Sequence, residues 1–295
     1  MPRAEVPTGV TLEYESRGAD HDPTVLLIAG FGAQLITWDD GFCQGLADGG
    51  RRVVRFDNRD CGRSTLLDGP ALDLAAVIAA ASEGDLDRAR SLVPYTLAEM
   101  ADDAVGLLDH LGVDAAHIVG SSMGGMIAQL VAIRHPGRVR TLTSMMSSTG
   151  EPDVGQSTPE AAAALLGPPA TDRGDYIDDR IRRTRIWSSR RHFDEAAGRE
   201  LAGACFDRGL SPEGTLRQLG ALLATGSLAD GLRLLAVPTL VIHGTDDTLI
   251  TPSGGERTAA LVPGAELLIV PDMGHDRPEP LWPVLWDAIL GHTAA

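Results

Sequence analysis

The chain has 295 residues, and its 25 Lys and Arg against 41 Asp and Glu give a formal net charge of −16. This acidity argues against nucleic acid and anionic membranes as partners, because both carry negative charge themselves. No apolar run approaches the roughly 20 residues that a membrane helix needs, and the N-terminus lacks the apolar segment of a signal peptide, which predicts a cytoplasmic protein.

The first part of the chain contains segments typical of strands. Alternating apolar and polar residues predict an edge strand over 11–16, and a continuous apolar run predicts a core strand over 25–29. The glycine loop Gly30-Phe31-Gly32 follows this core strand. Because backbone N–H groups of such a loop can face a substrate, Gly32 is a candidate for substrate binding and the Phe31 N–H is a candidate oxyanion donor.

A dense polar loop, residues 57–64, follows the next predicted core strand, residues 52–56. Charged residues at the carboxyl end of a buried strand are candidates for catalysis. We favour a structural role, in which Asp57, Arg59 and Asp60 hold the loop together by charge-assisted hydrogen bonds.

The cysteines are Cys43, Cys61 and Cys205. They are scattered and odd in number, which fits neither a disulfide framework nor a zinc site. We therefore expect ordinary reduced residues, and we predict no metal and no cofactor. Cys61 lies in the polar loop, where contact with a ligand is the alternative to a purely structural role.

A helix with clear end signals leads into the central motif. Residues 68–95 predict short helices and loop, and apolar residues at helical spacing then predict a helix over 97–111. Thr96 is its expected N-cap, with Glu99 three residues later completing a capping box. Gly112 stands where a helix commonly ends.

The central motif is Gly120-Ser121-Ser122-Met123-Gly124, a Gly-x-Ser-x-Gly pattern. An apolar run before it predicts a buried strand, and the helix formers over 126–135 predict a helix after it. Strand, sharp turn and helix are the context of a nucleophile elbow, which lifts the Ser122 hydroxyl clear of the sheet and turns the Met123 N–H toward a developing oxyanion. The two glycines are expected because side chains on the turn would collide with neighbouring elements.

A strand is predicted over 139–146, and the composition then changes. Residues 148–230 carry helix formers and scattered charge, which predicts a helical cap inserted into a core of residues 1–147 and 231–295. Alternating strands and helices in that core imply a mainly parallel central sheet flanked by helices. The candidates for lining an apolar pocket under the cap are Met145, Met146, Trp187, Phe193 and Phe206.

The sheet resumes with predicted strands over 237–243 and 265–270, each followed by a polar loop. A serine nucleophile needs a base to take its proton, and the base needs an acid that fixes its tautomer. His275 is the candidate base because it follows the last strand in a glycine loop. Asp247 is the favoured acid and Asp246 the alternative, since adjacent residues in a turn point in different directions.

Together these motifs resemble the α/β-hydrolase fold superfamily of the serine esterase type, in which the triad follows the order Ser122, Asp247, His275. The resemblance covers nearly the whole chain except the cap. The loop 57–64, the elbow and the segment Pro271-Asp272-Met273-Gly274-His275 are also similar to those of bacterial anthracycline (aclacinomycin) methylesterase-like hydrolases. This resemblance implies an oxyanion hole made by the N–H groups of Phe31 and Met123, and an apolar pocket under the cap. The chain departs from the pattern at Ala29-Gly30, where relatives often have His-Gly.

The expected activity is hydrolysis of a carboxylic ester of a small molecule through an acyl-enzyme, with methyl esters of bulky polyketide-like acids as the class that the resemblance suggests. The same triad also serves hydrolysis of lactones, thioesters or carbon–carbon bonds, and perhydrolysis in which peroxide replaces water. Outside catalysis, the alternative is a small-molecule receptor on the same fold.

Overall fold

The computed structural model describes residues 1–167 and 170–294, which form an eight-stranded sheet covered by helices. The sheet has the order β1-β2-β4-β3-β5-β6-β7-β8, and every pair from β4 to β8 is parallel. Its strands are β1 (Arg3–Glu5), β2 (Thr11–Arg17), β3 (Thr24–Ile28), β4 (Arg52–Phe56), β5 (Ala116–Ser121), β6 (Val139–Met145), β7 (Thr239–Gly244) and β8 (Glu266–Val270).

The helices follow the predicted alternation with the strands. Those described are α1 (Asp40–Asp48), α2 (Leu74–Ser82), α3 (Leu86–Ser91), α4 (Leu97–His110), α5 (Met123–Arg134), α6 (Pro159–Leu166), α7 (Arg173–Trp187), α8 (Glu195–Arg208), α9 (Pro212–Thr225), α10 (Ala229–Leu232), α11 (Ser253–Leu261) and α12 (Trp282–His292). Within the described ranges, no helix combines the length and the apolar composition needed to cross a bilayer.

Both faces of the sheet are buried, which explains the continuous apolar runs in its strands. In β3, Leu26 and Ile28 pack in one core with α4 and α5, whereas Val25 and Leu27 pack in a second core with α1 and α12. Successive side chains of a strand point to opposite faces, so a strand covered on both faces needs apolar residues throughout. The predicted α/β fold with a mainly parallel central sheet is confirmed.

The prediction of an edge strand over 11–16 needs correction. That segment forms β2, and the short strand β1 pairs with it on the outer side, with Ala4 opposite Leu12. Three residues are too few to show a sequence period, so β1 has no signal of its own. The predicted capping box of α4 is confirmed, since Glu99 accepts a hydrogen bond from the Thr96 backbone N–H at 2.7 Å.

The polar loop 57–64 connects the core to the helices inserted between β6 and β7. Arg208, at the end of α8, donates to Asp57 Oδ2 at 2.5 Å, and Arg217 of α9 forms a bidentate pair with Asp60 at 2.7 and 2.8 Å. These side chains are almost fully buried. The structural role predicted for Asp57 and Asp60 therefore extends beyond the loop. Removing one partner of such a buried pair typically costs about 3–5 kcal/mol.

The inserted helices are also covered by the segment that precedes α4. Ala80 of α2 and Ala89 of α3 pack against Ala224 of α9 in a small separate core. We therefore propose that α2 and α3 act together with residues 148–230 as one cap over the carboxyl ends of the strands.

A buried histidine in the central strand makes stability depend on pH. His117 of β5 is 2 % exposed, and burial first, with Arg140 and Arg51, lowers its pKa from 6.5 to about 4. The unfolded chain then binds this proton more readily, so the free energy of unfolding decreases as the pH falls from 6.5 to about 4. In urea titrations we expect the wild type to lose on the order of 3 kcal/mol relative to His117→Gln over this interval. A difference between the two proteins that does not change with pH would contradict this assignment.

Candidate active site

Ser122 lies at the sharp turn between β5 and α5 in a backbone conformation that non-glycine residues rarely adopt. Its φ of 59° and ψ of −125° fall outside the ordinary regions, which costs of order 1–3 kcal/mol. Neighbouring groups hold the turn: the Ser122 N–H donates to Met145 O at 2.9 Å, and Ser147 Oγ donates to Ser122 O at 2.8 Å. Such strain typically marks a functional position.

The glycines around Ser122 are required by close backbone approach. A Cβ on Gly120 would lie 2.0 Å from Gly124 O, and one on Gly124 would lie 2.2 Å from Ile28 O. Neither backbone can move without shifting the elbow or β3. Gly30 is also close, since its Cβ would lie 3.1 Å from Ser122 Cβ. The upstream glycine loop therefore lies directly against Ser122.

The loops after β7 and β8 bring Asp247 and His275 together. His275 Nδ1 lies 2.8 Å from Asp247 Oδ2, and the other carboxylate oxygen accepts the N–H groups of Leu249 and Ile250, each at 2.9 Å. The alternative acid, Asp246, points elsewhere and accepts the N–H of Arg190 at 3.4 Å. The geometry thus pairs His275 with Asp247.

The charge state of Asp247 determines the tautomer of His275. Burial acts to raise the pKa of Asp247, but His275 and His243 outweigh it, and the pKa of the carboxyl is lowered. An ionised carboxylate can only accept, so Nδ1 of His275 carries the proton of this hydrogen bond. His243 was not predicted to contribute. Its Nε2 lies 3.4 Å from Asp247 Oδ2 and 2.7 Å from Ile250 O.

The predicted oxyanion donors, Phe31 and Met123, both line the cavity that contains Ser122. Met123 is the first residue of α5, where no preceding helical turn supplies an acceptor for its N–H. The loop that carries Phe31 is fixed from the cap, because Gly32 donates its N–H to Gln218 Oε1 at 2.9 Å. Gly32 itself is exposed, and it supports the loop instead of facing the cavity.

A cavity of about 1300 Å³ lies between the carboxyl ends of the strands and the cap, and Ser122 and His275 are in its wall. Trp187, Phe193 and Met146 also line it, as predicted for apolar side chains under the cap. Met145 does not line the described part of the cavity, because it is still within β6 and packs in the core with α1 and α12.

Two further residues that the sequence offered as candidates for contact with a ligand, Phe206 and Cys61, lie away from the described cavity wall. Phe206 packs against Tyr176 within the cap, with ring centroids 5.5 Å apart and the ring planes tilted by 50°. Cys61 is buried beneath the cap, and burial first, followed by Asp57 and Cys205, raises the pKa of its thiol well above the usual value. A thiol in this state is a poor nucleophile, so the structural role of Cys61 is the one that the geometry favours.

Sequence reasoning missed part of the cavity wall. Ile78 of α2 lies at the cavity, although residues 68–95 carried no functional signal. Trp38, Asp39 and Arg277 also line it. Arg277 had one available signal, since it follows His275 by two residues in the loop after β8.

Comparisons with known proteins agree with this architecture. A family model described as the alpha/beta hydrolase fold matches residues 23–277. Rhodomycin D methylesterases from Streptomyces sp. (strain C5) and Streptomyces peucetius are each 30% identical to this chain, covering 97% of it and 96% of the relative. The crystal structure of an enol-lactonase from Burkholderia xenovorans LB400 superposes with a TM-score of 0.75 at 23% identity, with 100% of both chains covered. The sequence matches confirm the resemblance predicted from the motifs, and the structural match supports the fold.

The two neighbouring aspartates allow a matched test of the acid. We expect Asp247→Asn to slow labelling of Ser122 by a fluorophosphonate probe by about 10³–10⁴-fold, because an amide does not hold the required tautomer of His275. Asp246→Asn changes one adjacent carboxylate in the same way and should slow labelling less than about threefold. Equal effects in both variants, measured as second-order labelling rates, would contradict the pairing of Asp247 with His275.

Proposed function

Because the chain belongs to the α/β-hydrolase fold family, we propose that it is a serine esterase that cleaves methyl esters of bulky, polyketide-like acids. The observation that carries this proposal is the cavity of about 1300 Å³ that has Ser122 and His275 in its wall. Pockets for drug-sized ligands typically measure about 300–1,000 Å³. The space at Ser122 therefore suits a substrate of several fused rings.

In the first half of the proposed reaction, Ser122 Oγ attacks the ester carbonyl while His275 Nε2 takes its proton. The N–H groups of Phe31 and Met123 donate to the oxyanion of the tetrahedral intermediate. Asp247, whose pKa is lowered by its two histidine neighbours against the effect of burial, stabilises the imidazolium. The intermediate collapses when His275 returns the proton to the alcohol oxygen, which releases methanol and leaves an acyl-Ser122 ester.

In the second half, water replaces the alcohol and follows the same steps in reverse. His275 removes a proton from the water as its oxygen attacks the acyl carbonyl. The same two N–H groups bind the second oxyanion. Collapse of this intermediate breaks the bond to Ser122 Oγ, returns the proton to the serine and releases the carboxylic acid.

Two independent observations support a large apolar acid as the substrate. Aromatic and aliphatic side chains from both the core and the cap line the cavity, including Trp38, Met126, Trp187, Phe193 and Leu223. The relatives that share 30% identity over nearly the full chain carry the name rhodomycin D methylesterase. A small alcohol such as methanol leaves most of the cavity to the acid, which matches the predominance of apolar surface around Ser122.

Wild-type protein should hydrolyse methyl esters with a kcat/KM that rises roughly tenfold or more from acetate to a polycyclic aromatic acid, because each buried CH₂ group contributes about 0.8 kcal/mol. Ser122→Ala should lower kcat at least about 10⁴-fold, since only binding and oxyanion stabilisation remain. The released acids can be measured by liquid chromatography at several substrate concentrations.

Ser82→Ala is the matched control for this experiment, because Ser82 is an exposed serine of α2 that lines the same cavity. It should retain the wild-type rate. Loss of activity in both variants would point to misfolding, and full activity in Ser122→Ala would point to a contaminating esterase. A folded wild-type protein without turnover of any ester would refute the proposal, and lactones, thioesters and peroxide would then be assayed with the same variants.

A further inference from the structure

Arg277 is a cation in the wall of the active-site cavity, two residues after His275. Its guanidinium carbon lies 4.1 Å from the centroid of the Trp38 ring. One terminal nitrogen donates to Ser121 Oγ at 3.1 Å and the other to Thr37 O at 2.7 Å. The guanidinium is therefore held beside the residue that precedes Ser122.

Arg277 differs from other arginines with little exposed surface in the nature of its partners. Arg55, Arg59, Arg208 and Arg217 each contact at least one carboxylate. Both hydrogen-bond acceptors of Arg277 are neutral oxygens, and its buried Nε has no partner among the described residues. A charge removed from water is costly unless it is paired. The positive charge of Arg277 is thus available to pair with an anionic group in the cavity.

The nearby acids do not complete this pairing. Burial lowers the pKa of Arg277, and the opposing effects of Asp39, Cys43 and Asp276 are smaller. The carboxylate of Asp276 is already engaged, since its Oδ1 accepts the N–H groups of Ser189 and Gly274 at 3.0 and 3.2 Å. Burial also raises the pKa of Asp39, which makes it a weaker counter-charge.

The surroundings keep the guanidinium in one orientation. Trp38 is fully buried, and its carbonyl oxygen accepts hydrogen bonds from Arg55 and from Cys43 Sγ. The backbone that carries this ring is thus fixed to β4 and α1. A planar guanidinium that is held in this way keeps its remaining N–H groups in one orientation, which suits recognition of an oxyanion.

We propose that Arg277 recognises an oxyanion on the acid part of the substrate, either a carboxylate or an ionised acidic hydroxyl, separate from the ester that reacts. This inference rests on the proposed esterase function and specifies its substrate class. Arg277 contacts Ser121, the residue before the nucleophile. The distance between the oxyanion and the ester carbonyl is therefore about the width of one aromatic ring. The preferred substrate is therefore a monoester of an acid that keeps a second negative charge close by.

The test measures binding in the Ser122→Ala background, so that it does not require turnover. Calorimetry gives the Kd of monomethyl isophthalate, which carries a carboxylate, and of dimethyl isophthalate, which is neutral. Methyl 3-hydroxy-4-nitrobenzoate at pH 8 supplies an ionised phenol and separates the two oxyanion classes. We expect at least one anionic ligand to bind about ten- to a hundredfold more tightly than the diester, because a hydrogen bond to a charged group strengthens binding by about this factor. Adding Arg277→Met should remove that preference.

Two further variants separate recognition from folding. Arg277→Gln keeps a hydrogen-bond donor without the charge, and it should lose the preference as Arg277→Met does, with a melting temperature near that of the parent. Arg180→Met removes an exposed arginine from the cap side of the same cavity and should keep the preference.

The contrary results are distinct. Equal weakening of anionic and neutral ligands would mean that Arg277 only shapes the cavity, which overturns the inference. No preference for either anion in the parent protein, or no binding of any of the three ligands, would overturn it as well. Failure of the esterase proposal would appear separately, as a wild-type protein that does not hydrolyse any ester, whatever these Kd values are.

Discussion

The strained backbone of Ser122 is the constraint on which the rest of the site depends. A residue with φ of 59° at the end of β5 requires that the chain reverse from strand to helix within one residue. That reversal brings α5 so close to β5 and to β3 that only glycine fits at positions 120 and 124, respectively. The same turn places the N-terminus of α5, where no preceding helical turn supplies an acceptor for the Met123 N–H, at the carboxyl end of the sheet. Strain, glycine content and the proposed oxyanion hole are thus three consequences of one turn.

The cap is attached to this rigid centre by buried charges, and not by apolar packing alone. Arg208 and Arg217 reach from the inserted helices to Asp57 and Asp60 in the loop after β4. Buried ion pairs contribute little net stability but specify one arrangement strongly, since any other arrangement leaves a charge unpaired. They therefore account for how two segments distant in sequence enclose one cavity of defined shape. Gln218 adds a direct link from the cap to the loop that carries Phe31, through the N–H of Gly32.

The predictions from sequence succeeded where the signal is local. The elbow around Ser122, the capping box of α4 and the alternation of strands and helices depend on residues a few positions apart, and each agrees with the structure. The choice between Asp246 and Asp247 needed the turn geometry, which the Gly244-x-x-Asp247 spacing only favoured. Met145 was misplaced because its side chain direction depends on where β6 ends, and strand ends are poorly defined by composition. The places of Arg277 and α2 at the cavity were missed because they depend on contacts between distant segments.

The residues with local sequence signals are those proposed to react with the substrate, whereas the residues that depend on distant contacts form the cavity wall that selects it. Ser122, Asp247 and His275 follow β5, β7 and β8 of one parallel set of strands, so the sheet alone brings them to one edge. The cavity walls come from the cap, from α2 and from the segment around Trp38, which the sheet does not determine. The fold can therefore keep one reaction while its substrate changes. Arg277 belongs to both parts, because it shares a loop with His275 and stacks on Trp38. In the proposed mechanism, a substrate group held by its guanidinium is positioned relative to His275, which couples recognition of the acid to the geometry of proton transfer.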